Sequence, residues 1–300
     1  MKEVLFLGLG AIGASLASKF LSSKYNFSVL CDAARKEKYL QNGFIINNKR
    51  YDFHYVTNKE VKKTADLIII SVKYHDLKVA IKQLDGLVGE NTIIISLLNG
   101  IDSEEIIAKQ FGYDRILHAF IYNIDAMKTQ NVIIHSEKGI IVFGEKGGKV
   151  TDRINRLRVI LTEAEINHEV SNNIIKNIWW KYMVNIGINQ ATAILGAPNK
   201  AFQKISYVQE LVKAAMIEAV EISKSLNINL SEEDIDKAFN MLMNLSPDGK
   251  TSMLQDVEAK RKTEVEMLSG KLCLLGKQLN ISTPVNNLFF NLIKSIESMY

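Results

Sequence analysis

Short apolar runs alternate with helical periodicity through the first half of the chain, and helical periodicity alone fills the second half. Residues 4–7 are fully apolar, as expected for a strand covered on both faces of a parallel sheet. Ile12, Leu16 and Phe20 then recur at helical spacing, with Ala17 and Leu21 beside them. Residues 27–31 predict a second strand, and the β-branched runs at 66–72 and 92–96 predict two more. A crossover helix over 77–87, carrying Val79, Ala80 and Ile81, joins the last two. Asn47-Asn48-Lys49 signals a hairpin between GFII and RYDFHYV. A further pair of runs, NVIIH and GIIVFGE, flanks Ser136-Glu137-Lys138. Both pairs are expected to be antiparallel additions or edge strands.

Near Val170 the pattern changes, and continuous β-branched runs disappear. Val208, Leu211, Val212, Ala215, Met216, Ala219 and Val220 draw one apolar stripe. Ser231-Glu232-Glu233-Asp234 marks a helix start, Ser246-Pro247-Asp248-Gly249 a turn, and a long helix is expected from about residue 253 to beyond 275. The pattern predicts an α/β fold: a Rossmann-type doubly wound sheet over residues 1–170, followed by an all-helical domain over 171–300.

Composition narrows the class. Three hundred residues suffice for two ordinary domains, and 47% hydrophobic with 23% charged residues is a soluble globular composition. Two cysteines, Cys31 and Cys273, exclude a disulfide scaffold and favour a reducing compartment. A net charge of +4, with no dense basic stripe carrying interleaved aromatics, argues against nucleic acid as a partner. The start MKEVLFLGLGAIGASLAS imitates a signal peptide, but Glu3 and the spaced glycines oppose that reading. Elsewhere no apolar run approaches a membrane span, so a cytoplasmic protein with no membrane partner is expected. His54, His75, His118, His135 and His168 lack metal-ligand spacing, and no metal is expected. The apolar helical half offers a face for a homodimer.

The chemistry concentrates in a few places. Gly8-Leu9-Gly10-Ala11-Ile12-Gly13 matches G-x-G-x-x-G between a predicted strand and a predicted helix. Glycine serves there for the tight turn, for close approach of a pyrophosphate, and for helix-on-strand packing, while the helix amino terminus offers free N–H groups. Asp32, at the end of the second strand, would accept from a ribose 2′-hydroxyl and repel a 2′-phosphate. Arg35, Lys36 and Lys38 follow closely, and Lys73 could approach the same ribose edge, so NAD and NADP both stay open. Asn99-Gly100 ends the 92–96 strand at the edge where open α/β sheets bind ligands.

In WWKYMVNIGINQATAILGAPN, Lys181, Asn185 and Asn189 fall at i, i+4 and i+8. Each lies about 6 Å further along a helix and about 40° round from the last. Polar groups on an otherwise apolar helix need partners or a ligand. A hydride-transfer enzyme needs a proton donor beside the reacting carbonyl, and a lysine ammonium, with its ordinary pKa of about 10.4, is charged at pH 7. Ser252, with Gln255 three residues on, reads as a capping box, and Glu264 lies twelve residues beyond Ser252.

GLGAIG, SVK with Lys73, LLNG with Asn99, WKYMVNIGIN, Pro198-Asn199 and SMLQDVEAKRKTEVEMLSG together resemble the ketopantoate reductases (2-dehydropantoate 2-reductases) over almost the whole chain. The resemblance implies NADPH-dependent reduction of a small keto acid, 2-dehydropantoate, to (R)-pantoate, on the route to pantothenate and coenzyme A. It further implies that Lys181 is the general acid, and that Asn185, Asn189, Asn199 and Ser252 hold the substrate. Glu264 would lie near both the substrate hydroxyl and the cofactor, Asn99 by the nicotinamide ribose, and Ala126 near the cofactor. Cys31-Asp32 departs from the basic residue that NADPH-using members often carry there. Distant members act on other keto acids, and a dinucleotide-sensing protein without turnover is the alternative from a different class.

Overall fold

The apolar runs of the first half become the strands of one sheet. In the computed structural model, which describes residues 2–123, 126–136 and 138–300, the chain divides into two compact units between Ile174 and Ile175. The first unit opens with β1 (Glu3–Leu7), α1 (Ala11–Phe20), β2 (Asn26–Leu30), α2 (Ala33–Asn42), β3 (Phe44–Ile46), β4 (Lys49–Tyr51) and β5 (Tyr55–Val56). It continues through β6 (Ala65–Ile70), α3 (Leu77–Lys82), β7 (Val88–Ser96), α4 (Ser103–Phe111) and β8 (Ile116–Tyr122). It closes with β9 (Ala126–Thr129), β10 (Val132–His135), β11 (Ile140–Gly144), α5 (Asp152–Glu163) and β12 (His168–Val170).

Among the described residues, eight strands form one sheet in the order β12-β11-β8-β7-β6-β1-β2-β5. From β5 to β8 every neighbouring pair is parallel, while β11 runs antiparallel to β8. The chain leaves β1 toward β2 and returns to β6 on its other side, so the topological switch lies between β1 and β6. Alternate side chains enter opposite cores, which is why these strands are apolar throughout. Val4, Phe6, Leu67 and Ile69 pack with α1 and α5, whereas Leu5, Leu7, Ile68 and Ile70 pack with α3 and α4. On the first face the rings of Phe6, Phe20 and Phe27 meet at centroid distances of 5.2–5.7 Å.

Here two sequence expectations hold and one needs correction. The hairpin at Asn47-Asn48 forms, with both residues at positive φ and Phe44 opposite Tyr51. The runs flanking Ser136-Glu137-Lys138 are antiparallel additions as expected, β10 beside β9 and β11 beside β8, but in two different sheets. β10 joins a small sheet, β4-β3-β10-β9, and β11 joins the large one; Glu137 itself lies outside the described residues. The crossover helix is shorter than 77–87, because α3 ends at Lys82 and a turn closes through Leu84 to Leu87.

The second unit is helical: α6 (Ile174–Leu195), α7 (Lys200–Lys204), α8 (Ser206–Ser225), α9 (Glu232–Met243), α10 (Ser252–Glu258), α11 (Lys271–Leu279) and α12 (Pro284–Glu297). Ser231 and Asp234 cap α9 reciprocally. Gly187 lets α6 and α8 approach closely, since a methyl group there would stand 2.8 Å from Met216. The expected long helix from 253 to beyond 275 is broken. Lys260 adopts a left-handed conformation and Arg261 folds back, its N–H to the Asp256 carbonyl at 2.8 Å and its guanidinium to the Asp256 carboxylate at 2.9 Å. A wider, π-type turn at Glu266–Gly270 then leads into α11. No described helix is long and apolar enough to cross a membrane.

Removing one ring of the aromatic trio opens a cavity in the core beneath α1. Phe20→Ala should therefore cost about 3–5 kcal/mol in urea unfolding, with little change in m. A loss under about 1 kcal/mol would mean that this cluster does not hold α1 to the sheet.

Candidate functional site

In the first unit the site grows from the turn after β1. Gly8 has φ +94°, and a side chain there would meet the Ser71 carbonyl oxygen at 2.7 Å. At Gly13 a methyl would come within 2.2 Å of the Ser71 hydroxyl, which itself donates to the Gly8 carbonyl at 2.9 Å. These two glycines are thus demanded by the protein's own packing of β1, α1 and the end of β6. Gly10 differs: its φ is −66°, and a methyl there would meet nothing closer than 3.7 Å. Neither backbone nor neighbours demand glycine at that point, whereas a ligand approaching the backbone would. No side chain caps α1, and its first turn carries no acid, so its leading N–H groups suit a phosphate. The residues fit a dinucleotide.

Leu9, Ala11 and Ile12 complete the turn, with Leu9 buried and Ala11 and Ile12 packed on the core. A pocket beside it is lined by Gly8, Leu9, Cys31, Arg35, Tyr39 and Val72, among others. Asp32 proves to be the cap of α2: one carboxylate oxygen accepts the Arg35 N–H at 2.7 Å, and the other stands 3.6 Å from the Arg35 guanidinium. Arg35 also reaches Asp76 at 3.5 Å. Burial, and next the Asp32 charge, push the Cys31 thiol up to about 11. Lys73 follows β6, half-buried, and Asn99 follows β7, half-buried before the left-handed Gly100. Ala126 opens β9 opposite His135.

Two groups escaped the sequence reading. Lys128 on β9 donates to the Leu9 carbonyl at 2.5 Å and lies 5.0 Å from the centre of the Phe44 ring. Burial first, then Lys38 and Arg35, push its ammonium down to about 8. Glu104, in the first turn of α4, is buried and accepts from Ser103 at 2.8 Å, yet burial raises its carboxyl to about 7. Neither stands in a recognisable spacing: Lys128 depends on a distant segment, and Glu104 on its burial.

In the second unit, Lys181, Asn185 and Asn189 lie on α6 at successive turns, the first two half-buried and Asn189 buried. Beside them Met183, Ile186 and Ile188 lie in the core, and the polar Gln190 and Thr192 are fully buried with hydrogen-bond partners. The cap of α10 is Thr251, whose hydroxyl accepts from Leu254, so the capping box expected at Ser252 is corrected by one residue. Ser252 is thereby released from capping, and its oxygen lies 3.5 Å from the Asn189 amide nitrogen. One turn further on, Thr192 and Thr251 hydroxyls meet at 2.8 Å and tie α6 to the same helix start. Asn199 turns instead toward the Ser246–Gly249 turn, donating to the Ser246 carbonyl at 3.0 Å, and its own Oδ1 is buried with no partner among the described residues. Glu264 is half-buried beyond the break after α10, on an element separate from Ser252. Among the described residues, no cluster of three or more metal-ligating side chains occurs.

The two classes of glycine should separate in a stability measurement. Gly13→Ala should lower the melting temperature by several degrees, whereas Gly10→Ala should leave it within about a degree, because only the former meets protein atoms. Equal losses would refute the distinction. For Glu104 the sign follows from its raised pKa: the folded state holds the proton more tightly. The contribution of Glu104 to stability is therefore greatest below about pH 4.5 and falls as pH rises through about 7, by about 1–3 kcal/mol. Glu104→Gln should flatten that slope in urea midpoints measured across the range; an unchanged slope would clear Glu104 of responsibility.

Residues 4–148 match the family described as Ketopantoate reductase PanE/ApbA, and residues 173–297 match its C-terminal counterpart, Ketopantoate reductase PanE/ApbA C terminal. The 2-dehydropantoate 2-reductase of Archaeoglobus fulgidus is 25% identical over 299 residues, 99% of each chain. That of Aquifex aeolicus is 28% identical over 245 residues, covering 80% of this chain and 79% of its own. Among solved structures, a D-mandelate dehydrogenase with NADH and anilino(oxo)acetate superimposes with a TM-score of 0.90 at 22% identity, covering 99% of both chains. A dimeric ketopantoate reductase from Staphylococcus aureus does so with a TM-score of 0.82 at 21% identity, again over 99% of both. With both parts of the fold matched in order along the sequence, the chain belongs to the ketopantoate reductase family.

Proposed function

We propose that this chain is a cytoplasmic NADPH-dependent reductase that converts 2-dehydropantoate to (R)-pantoate, on the route to pantothenate and coenzyme A. The observation that carries the reading is the polar stripe on α6: Lys181, Asn185 and Asn189 at one-turn intervals, with Asn189 in reach of Ser252. Relatives named 2-dehydropantoate 2-reductase span essentially the full chain, which supports the substrate. The glycine turn, open at Gly10, supports a dinucleotide cofactor.

The turn from Gly8 to Gly13 would hold the pyrophosphate of a nicotinamide dinucleotide, which when bound would supply the hydride for the keto carbon. The protein's part is the proton and the geometry. Reduction leaves negative charge on the former carbonyl oxygen, and the Lys181 ammonium both stabilises that charge and donates its proton to it. The Asn185 and Asn189 carboxamides, set one and two turns along, orient the keto acid. Asn189 donates to the Ser252 oxygen, which leaves the Ser252 O–H to donate to substrate. Glu264, Asn99, Lys73 and Ala126 complete the substrate and cofactor contacts in this reading, with Asn199 at the substrate end. A homodimer is the expected assembly, supported by the dimeric Staphylococcus aureus relative and by the exposed Leu274, Leu288 and Leu292.

The test is oxidation of NADPH, followed spectrophotometrically, with 2-dehydropantoate and a panel of aliphatic and aryl 2-keto acids. 2-Dehydropantoate should give the highest kcat/KM; a clear preference for another acid would replace the substrate, and no turnover with any would favour a sensor. Lys181→Ala should lower kcat by about two orders of magnitude or more. A folded variant with near-normal turnover would remove Lys181 from its role.

A further inference from the structure

Lys181, Asn185 and Asn189 are each followed on α6 by a fully buried residue: Tyr182, Ile186 and Gln190. One residue along a helix is about 100° round, so these three form a second face beside the polar stripe. Two of them carry polar groups. The Tyr182 hydroxyl donates to the Leu268 carbonyl at 2.7 Å, and Gln190 Oε1 lies 2.5 Å from the Ser269 hydroxyl. Both partners belong to the π-type turn at Glu266–Gly270. The second face of α6 therefore grips consecutive residues of that turn.

What the turn carries is Glu264. The Glu264 carbonyl accepts the N–H groups of Met267 and Leu268, both at 3.1 Å. Leu268 thus stands between two hydrogen bonds: its N–H holds the Glu264 backbone, and its carbonyl is held by Tyr182, the neighbour of Lys181. The Gly270 N–H reaches back five residues to Val265 at 2.9 Å, the widened π pattern that is frequent at functional sites. The flanks are pinned as well, since the Glu297 carboxylate takes the Thr263 N–H at 2.7 Å and Asn286 Oδ1 lies 3.0 Å from the Ser269 hydroxyl. Trp179 packs edge-on to the Tyr182 ring at a centroid distance of 5.7 Å, which fixes the direction of the phenol. The Leu268 carbonyl already accepts the Lys271 N–H, so its burial does not demand a second donor. What the Tyr182 hydroxyl adds there is position.

We propose, resting on the reductase reading above, that Tyr182 is a positioning residue for the reaction: its hydroxyl, acting through Leu268, sets where Glu264 stands relative to Lys181, Asn185 and Asn189 on the same helix. One face of α6 thus carries the proton donor and the amides, and the adjacent face holds the acid in register with them. Losing the Tyr182 hydroxyl leaves Lys181 where α6 puts it, so the proton donor is kept and the grip of Glu264 on the substrate slackens.

The experiment is a double-mutant cycle on the whole protein: wild type, Tyr182→Phe, Glu264→Ala and the double variant. Each is assayed with NADPH and 2-dehydropantoate, with enzyme in excess where turnover is slow, and melted in parallel. Tyr182→Phe should keep the fold, because the Leu268 carbonyl retains the Lys271 N–H. Alone it should raise KM for the keto acid about five- to twentyfold and change kcat by less than about threefold. On the Glu264→Ala background the same change should alter kcat/KM by less than about twofold, because no carboxylate is left to place. A side chain that merely supports the helix would cost the same factor in both backgrounds, and that result would overturn the assignment. An unchanged KM in Tyr182→Phe would overturn it as well, and so would a Tyr182→Phe chain that fails to fold. No turnover of any 2-keto acid by wild type would instead overturn the reductase reading on which the assignment stands.

Discussion

Two absent methyl groups govern the first unit. Because Gly8 and Gly13 carry none, β1 can turn sharply and α1 can settle against the Gly8 carbonyl and Ser71 at the end of β6. The Ser71 hydroxyl closes that contact by donating to Gly8. The amino terminus of α1 is thereby set beside the switch between β1 and β6, where the neighbouring crossovers diverge and leave a crevice. Core packing on both sheet faces holds the turn there. The aromatic trio of Phe6, Phe20 and Phe27 fixes the far end of α1, so the helix cannot tilt its leading N–H groups away.

In the helical unit the equivalent constraint is α6. Its burial is nearly complete around Tyr182, Met183 and Ile186, and Gly187 draws it onto α8. A helix so enclosed has little freedom to rotate, and its polar stripe inherits that rigidity. Thr192 and Thr251 then lock the start of α10 against α6, which is what brings Ser252 to Asn189. Apolar packing of α6 therefore helps to position the lysine and the amides, and a hydrogen bond joins the last of the set to Ser252.

Much of this was legible in the sequence because it is local. The buried strands were visible as runs of β-branched residues, the glycine turn as a spacing, and the α6 stripe as a four-residue period. What could not be read depends on distant partners. NVIIH and GIIVFGE are neighbours in the chain, yet each pairs in a different sheet, Ile45 with Val132 and Phe120 with Val142. The helix expected to run past residue 275 stops where Arg261 prefers Asp256 to solvent, a choice that periodicity does not encode. Thr251 displaced Ser252 as the cap because two adjacent hydroxyls compete for one role. Lys128 was invisible for the same kind of reason: nothing near it in the chain announces Leu9.

The break after α10 has an evolutionary corollary. Along an unbroken helix, inserting or deleting one residue would swing everything downstream by about 100°. Here the irregular stretch between Glu258 and Glu266 decouples the two sides, since Ser252 is anchored by Thr251 and the segment holding Glu264 is pinned separately through Thr263 to Glu297. Length changes within that stretch can be absorbed locally, so natural variants are free to retune the acid without dislodging the hydroxyl.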